Sequence, residues 1–173
     1  YHQVLGFVDG GADVLLYETQ QDILELKAAV MGGQKAMKEK GVKLTIICQV
    51  TVDQFSKMQI FNTDIHAALV TMQGIGIDVF GINCSIGPDL MEKTVEKLAR
   101  YSHIPISVIP NAGLPTSVDG KTVFKYPPEE FGRYQRKFAE HYGVNIVGGC
   151  CGTTAAHIKC VADQVRGLKP KVR

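Results

Sequence analysis

Short runs of Val, Ile and Leu alternate along this chain with stretches in which apolar residues recur every three or four positions. This is the rhythm of parallel strands joined by helical crossovers. Five runs read as strands: Asp13–Glu18, Lys43–Val50, Asp78–Cys84, Ile104–Pro110 and Val144–Gly149, each ending in polar or glycine-containing sequence. Between the first two, Thr19-Gln20-Gln21-Asp22 resembles a capping box, followed by an apolar stripe of Ile23, Leu26, Val30 and Met37 and a stop at Gly41. Thr63 is placed to cap a helix carrying Ile65, Leu69 and Met72. Pro88 occupies a first-turn position, with Asp89 and Glu92 near the positive helix end and Met91, Val95 and Leu98 facing inward. Phe131, Tyr134, Phe138 and Tyr142 stripe a further helix that stops at Gly143, and the last helix starts near Thr154 with Ile158, Val161 and Val165 on its buried side. Tyr1–Gly11 reads as the tail of a helix running toward the first strand.

Two connections exceed what a crossover needs. Gln49 to Asn62 carries no clear element, and Asn111 to Tyr126 holds Asp119-Gly120 between Ser117-Val118 and Lys121-Thr122-Val123, the pattern of a small hairpin. Both follow a strand's carboxyl end, where β/α folds place functional loops. The five strands fit either an open sheet or part of an eight-stranded β/α barrel.

Composition narrows the function. The chain has 173 residues and a formal net charge of +2 with its signs interspersed, so it offers no basic stripe for nucleic acid or for an anionic membrane. No apolar run approaches the ~18 residues of a bilayer span, and the first residues lack the plan of a signal peptide. The cytosol is the expected compartment, where the five cysteines are reduced, metal-bound or catalytic in preference to disulfide-paired.

Those cysteines carry the chemistry. Cys150 and Cys151 adjoin one another in Gly148-Gly149-Cys150-Cys151-Gly152, and Cys84 closes another strand-like run. Neighbouring strand residues point to opposite faces, so an adjacent pair converges on one ion only where the strand ends and the glycines let the backbone turn. Three thiolates leave one position of a tetrahedral zinc free for water or substrate, and Cys84, Cys150 and Cys151 are therefore the candidate metal ligands. The alternative for the pair alone is two small buried apolar side chains. Cys48, within an apolar run, and Cys160, within a helical pattern, read as packing residues. The histidines His2, His66, His103, His141 and His157 share no strand-end setting and read as surface or helix residues.

The segments Gly81-Ile82-Asn83-Cys84, Pro110-Asn111-Ala112-Gly113-Leu114-Pro115 and Asn145 through Thr154 together closely resemble the homocysteine-binding domain of cobalamin-dependent methionine synthases. The likeness runs over essentially the whole chain. It implies an α/β fold, a parallel β/α barrel of the TIM type, with residues 1–173 forming a partial domain that holds strands four to eight. On this resemblance the domain's amino-terminal strands would be absent from this segment. It further implies zinc as cofactor on Cys84, Cys150 and Cys151, homocysteine as substrate, and methylcobalamin as a donor held by another module. Cobalamin-binding and folate-binding modules of the same full-length enzyme become the expected partners.

Under the resemblance Glu18 falls on the acid that binds the homocysteine amino group, and Asn111 on a pocket asparagine that can lie near zinc when substrate is absent. Read on its own, Glu18 is a strand-end acid suited to a ligand ammonium or, equally, a helix-entry acid favoured by the macrodipole. Asn111 on its own is a turn former beside Gly113. Asn83 is expected to orient the cysteine segment by hydrogen bonds, while Thr63-Asp64 belongs either to the pocket or to a helix cap. Two other readings stay open: a methyltransferase that takes its methyl group directly from S-methylmethionine or betaine, and a zinc-stabilised fragment without turnover. Dithiol redox chemistry is disfavoured because the pair is Cys-Cys and not Cys-x-x-Cys.

Overall fold

In the computed structural model, which describes Tyr1–Arg173, the five expected strands form one parallel sheet. They are β1 (Val14–Gln20), β2 (Thr45–Val50), β3 (Val79–Asn83), β4 (Ile106–Ile109) and, after a hairpin, β7 (Ile146–Val147), in the spatial order β1-β2-β3-β4-β7. The hairpin pairs β5 (Pro115–Val118) with β6 (Lys121–Phe124) around Asp119-Gly120. The helices are α1 (His2–Asp9), α2 (Ile23–Lys40), α3 (Ile65–Ile75), α4 (Pro88–Tyr101), α5 (Pro128–Tyr142) and α6 (Ala155–Val165). The sheet is open, with β1 and β7 at its edges.

Strand alternation sorts the side chains between two faces. Leu15, Ile46, Cys48, Val50, Phe80, Ile82, Ile106 and Val108 enter the main core, where they meet Leu26 and Val30 of α2, Leu69 of α3, and Met91 and Val95 of α4. Tyr17 sends its hydroxyl into the space left by Gly33 of α2, where a methyl carbon would stand 2.1 Å from it. The opposite face is more polar. Gln49, Gly81 and Ser107 lie side by side in register across β2, β3 and β4. Gln49 Nε2 donates across Gly81 to Ser107 Oγ at 2.6 Å, and both polar side chains are buried.

The close approach of β3 and β4 needs a bare α-carbon at position 81. A methyl carbon there would lie 2.0 Å from the Ser107 carbonyl oxygen, a backbone atom that cannot swing aside. We expect Gly81→Ala to destabilise the protein by about 3 kcal/mol, the upper part of the usual overpacking range. A shift in the denaturant midpoint at unchanged slope measures it. An unchanged midpoint would refute the close approach.

Several local expectations change. Thr19 and Gln20 extend β1, and Asp22 is the N-cap of α2, its side chain accepting from the Leu24 N–H at 2.8 Å. Asp64, and not Thr63, caps α3 by accepting from the His66 N–H at 2.9 Å. Either position supplies a capping oxygen, and the chain's path chooses between them. The Gln49–Asn62 connection is tied by two isolated antiparallel bridges, Val52 with Met58 and Lys57 with Asp64. In α6, Val161 is buried as expected, but Ile158 is exposed. The inward place in the first turn goes to His157, which completes a capping box with Thr154. Its Nε2 also lies 2.9 Å from the Tyr126 carbonyl oxygen, and its ring meets Phe131 edge-on. A strictly apolar reading of the helix stripe misses a histidine whose two nitrogens are both satisfied.

Candidate metal and substrate site

The carboxyl end of β4 is the splint of the site. Cys84, just past β3, donates its N–H to the Ile109 carbonyl at 3.0 Å, while Asn111 donates its own to the Ile86 carbonyl at 3.1 Å. On the other side, Cys150 donates to the Pro110 carbonyl at 2.9 Å, and Ala112 donates to the Cys151 carbonyl at 2.9 Å. Asn111 joins the two halves, because its Oδ1 also accepts from the Cys151 N–H at 3.0 Å. The side chain is buried, and this bond assigns its carbonyl oxygen to holding the cysteine turn.

Backbone shape brings the thiols together. Cys84 and Ser85 have φ of 61° and 66°, two successive left-handed residues that no β-strand would contain. Such conformations are costly for side-chain-bearing residues and concentrate at functional sites. The chain turns back sharply there, Ile86 donating its N–H to the Cys84 carbonyl at 2.8 Å. The Cys150–Thr153 turn is closed by donation from the Thr153 N–H to the Cys150 carbonyl at 3.1 Å. It depends on Gly152, whose φ is +77° and whose α-carbon faces the Phe124 ring so closely that a methyl carbon would sit 2.2 Å from it. The hairpin thus covers the cysteine turn with Phe124, a contact that neither segment signals in isolation.

The result is a cluster in which the Sγ atoms of Cys84, Cys150 and Cys151 all lie within 4.8 Å of one another. Cys84 and Cys151 are 3.7 Å apart. Tetrahedral zinc with bonds of about 2.3 Å spaces its sulfurs by about 3.8 Å, whereas a disulfide needs about 2.0 Å. The donor set and its spacing fit zinc, and no further His, Asp or Glu joins the group. All five cysteines are free. Burial, and then the neighbouring Cys84 thiol, push the Cys150 thiol up to about 12, while the Cys84 contact followed by burial raises Cys151.

Glu18 stands at a different feature of the same sheet end. Tyr17 pairs with Cys48 and Gln20 with Val50, so Glu18 and Thr19 together oppose Gln49 alone, making a bulge in β1. Bulges re-aim side chains and recur beside active sites. Thr19 has φ of 58°, rare for a β-branched residue. Glu18 is exposed and lines a groove of about 390 Å³ along β1 and α1 that none of the three cysteines reaches. Asn83 does not bond to the cysteine segment with its side chain, contrary to expectation. Its amide reaches over to β1, accepting from the Thr19 N–H at 2.9 Å and donating to Thr19 Oγ1 at 2.8 Å. Gln59, in the long connection after β2, donates to Ser85 Oγ at 2.7 Å and so touches the residue next to Cys84.

Comparison with known proteins places this geometry in context. The chain is 44% identical over 167 residues to the methionine synthase of Mycobacterium tuberculosis (strain ATCC 25618 / H37Rv), covering 95% of this chain and 14% of that protein. It is 43% identical over 163 residues to the methionine synthase of Mycobacterium leprae (strain TN), covering 93% of this chain and 13% of that one. The chain therefore spans about one seventh of the length of these curated relatives. Among solved structures, the homocysteine methyltransferase MmuM from Escherichia coli superimposes in its apo form with a TM-score of 0.68 at 20% identity, covering 94% of this chain and 56% of that chain. Its metallated form gives a TM-score of 0.71 at 21% identity, covering 94% and 48%. At such identity the likeness speaks for the fold, a parallel α/β arrangement of the barrel type. The homocysteine S-methyltransferase family model matches residues 1–165, and the chain belongs to that family.

Proposed function

We propose that this chain is the part of a methionine synthase that holds zinc and homocysteine, and that the methyl group it accepts comes from methylcobalamin carried on another module. In this reading its five parallel strands are the last five of a β/α barrel. The observation that carries the proposal is the three-thiol cluster at the sheet's carboxyl end, whose spacing suits zinc and whose ligand count leaves one tetrahedral position for a substrate sulfur. The higher identity to methionine synthases than to MmuM supports the cobalamin-dependent branch.

Cys84, Cys150 and Cys151 would hold the ion, whose charge lets a coordinated homocysteine thiol lose its proton near neutral pH, well below the ordinary thiol value of ~8.5. Three thiolates already exceed the ion's charge, so the sulfur keeps its nucleophilic character. Glu18 would bind the substrate ammonium by a charge-assisted hydrogen bond. Asn111, fixed against Cys151, would form part of the wall beside the cluster while keeping its two cysteine arms in register. A methyl donor on another module would supply the methyl group, keeping the electron pair of the bond that breaks, and the homocysteine sulfur would take the methyl carbon to give methionine.

A donor competition assay on the complete protein tests the assignment. Homocysteine-dependent methionine formation is expected with methylcobalamin and not with S-methylmethionine or betaine. Turnover with either of the latter alone would move the protein to the direct-donor branch. Zinc binding without methyl transfer from any of them would leave a metal-stabilised fold without turnover.

A further inference from the structure

The arm that carries Glu18 and the arm that carries Cys84 come from strands that do not neighbour each other, since β2 lies between β1 and β3. A bidentate amide joins them across this gap. Asn83 Oδ1 accepts from the Thr19 N–H, Asn83 Nδ2 donates to Thr19 Oγ1, and the Asn83 side chain is almost fully buried. The backbone N–H can only donate, so it fixes which end of the amide faces it, and the hydroxyl takes the other. Thr19 is the left-handed residue of the β1 bulge and Glu18 is its bulge partner. Asn83 is also the residue immediately before Cys84.

We propose that Asn83 is a positioning residue for substrate recognition, which sets the β1 bulge and thereby the direction of the Glu18 carboxylate. This rests on the functional reading above. Without the clamp, Thr19 has no partner that holds it left-handed, and the bulge is free to relax toward a regular strand. Regular pairing would restore one-to-one register with β2 and redirect Glu18. Asn83 therefore acts on the ammonium end of the substrate, although it sits next to a residue of the cluster.

A pair of ligands separates this role from a general structural one. Homocysteine carries the ammonium group, whereas 4-mercaptobutanoate has the same thiol, chain and carboxylate without it. In the complete, zinc-loaded protein, Asn83→Ala should weaken homocysteine about tenfold, the effect expected when one charge-assisted hydrogen bond is lost. Binding of 4-mercaptobutanoate and the zinc content by elemental analysis should stay unchanged. In turnover the loss should appear in KM, with kcat at saturating homocysteine kept within about twofold. Thr19→Val, remote in sequence from the cysteines, removes only the hydroxyl half of the clamp and should weaken homocysteine selectively by a smaller factor. In a Glu18→Gln background, Asn83→Ala should cost little more, because the group it positions is already altered. Equal weakening of both ligands, or no weakening of homocysteine in folded variants, would overturn the proposal. If the unsubstituted protein binds no homocysteine, the functional reading fails together with the clamp's role in it, a result that the variants cannot imitate.

Discussion

Replacing Cys84, Cys150 and Cys151 together by serine should abolish zinc binding, and each single replacement should weaken it by more than about 100-fold. Substitutions that disturb only the residues behind a ligand cost 10–100-fold, so losing a ligand must cost more. In the unsubstituted protein, X-ray absorption should find three sulfurs and one lighter atom around the metal. Cys84 and Cys151 Sγ, 3.7 Å apart, already stand near the sulfur spacing of about 3.8 Å that tetrahedral zinc requires. The pH dependence has a definite sign. Metal-free Cys150 holds its proton up to about 12 because of burial and the neighbouring Cys84. Zinc must displace thiol protons, and its affinity should rise with pH and fall as pH falls. An oxygen-dominated shell, or full occupancy in the triple variant, would sink the assignment.

Homocysteine should raise the sulfur count at the metal from three to four and release protons as it binds. Free homocysteine is mostly a thiol at neutral pH, given an ordinary value of ~8.5, so coordination should expel close to one proton per site. Calorimetry in buffers of different ionisation enthalpy measures that number, and X-ray absorption counts the sulfur. Methionine is the control, since its thioether has no proton to lose. A sulfur count that stays at three with saturating homocysteine would defeat the proposed activation of the nucleophile.

Much of this was legible in the chain. The five strands announce themselves because each is an apolar run closed by polar or glycine residues, and the hairpin because Asp119-Gly120 suits a tight reversal. The convergence of the thiols was foreshadowed by the glycines around Cys150 and Cys151, where strand alternation has to end. The β1 bulge was not legible. Thr19 looks like the start of a capping box, and only Asn83, 64 positions away, makes it the left-handed end of a strand. Nor does local pattern reveal that Phe124 packs on Gly152 or that His157 takes an inward place on α6. These features depend on partners distant in sequence. The number of strands was readable because each strand is a local pattern, whereas whether a sheet closes into a barrel depends on shear and tilt summed over all its strands.

The cysteine pair and Cys84 stand 67 positions apart in the chain, and one ion on all three would act as a removable cross-link closing that span. Because the ion would bind the folded cluster and not the unfolded chain, it would stabilise the fold by mass action, by about 4 kcal/mol at free zinc about 1,000 times its dissociation constant. Chelation would then loosen more than the site. It would release the ends of β3 and β7 on either side of β4, leaving their backbone bonds to hold the mouth of the sheet without a tether. The thermal stability of this fold would follow the free zinc concentration around it, and depletion of the ion would be felt as unfolding as well as loss of chemistry.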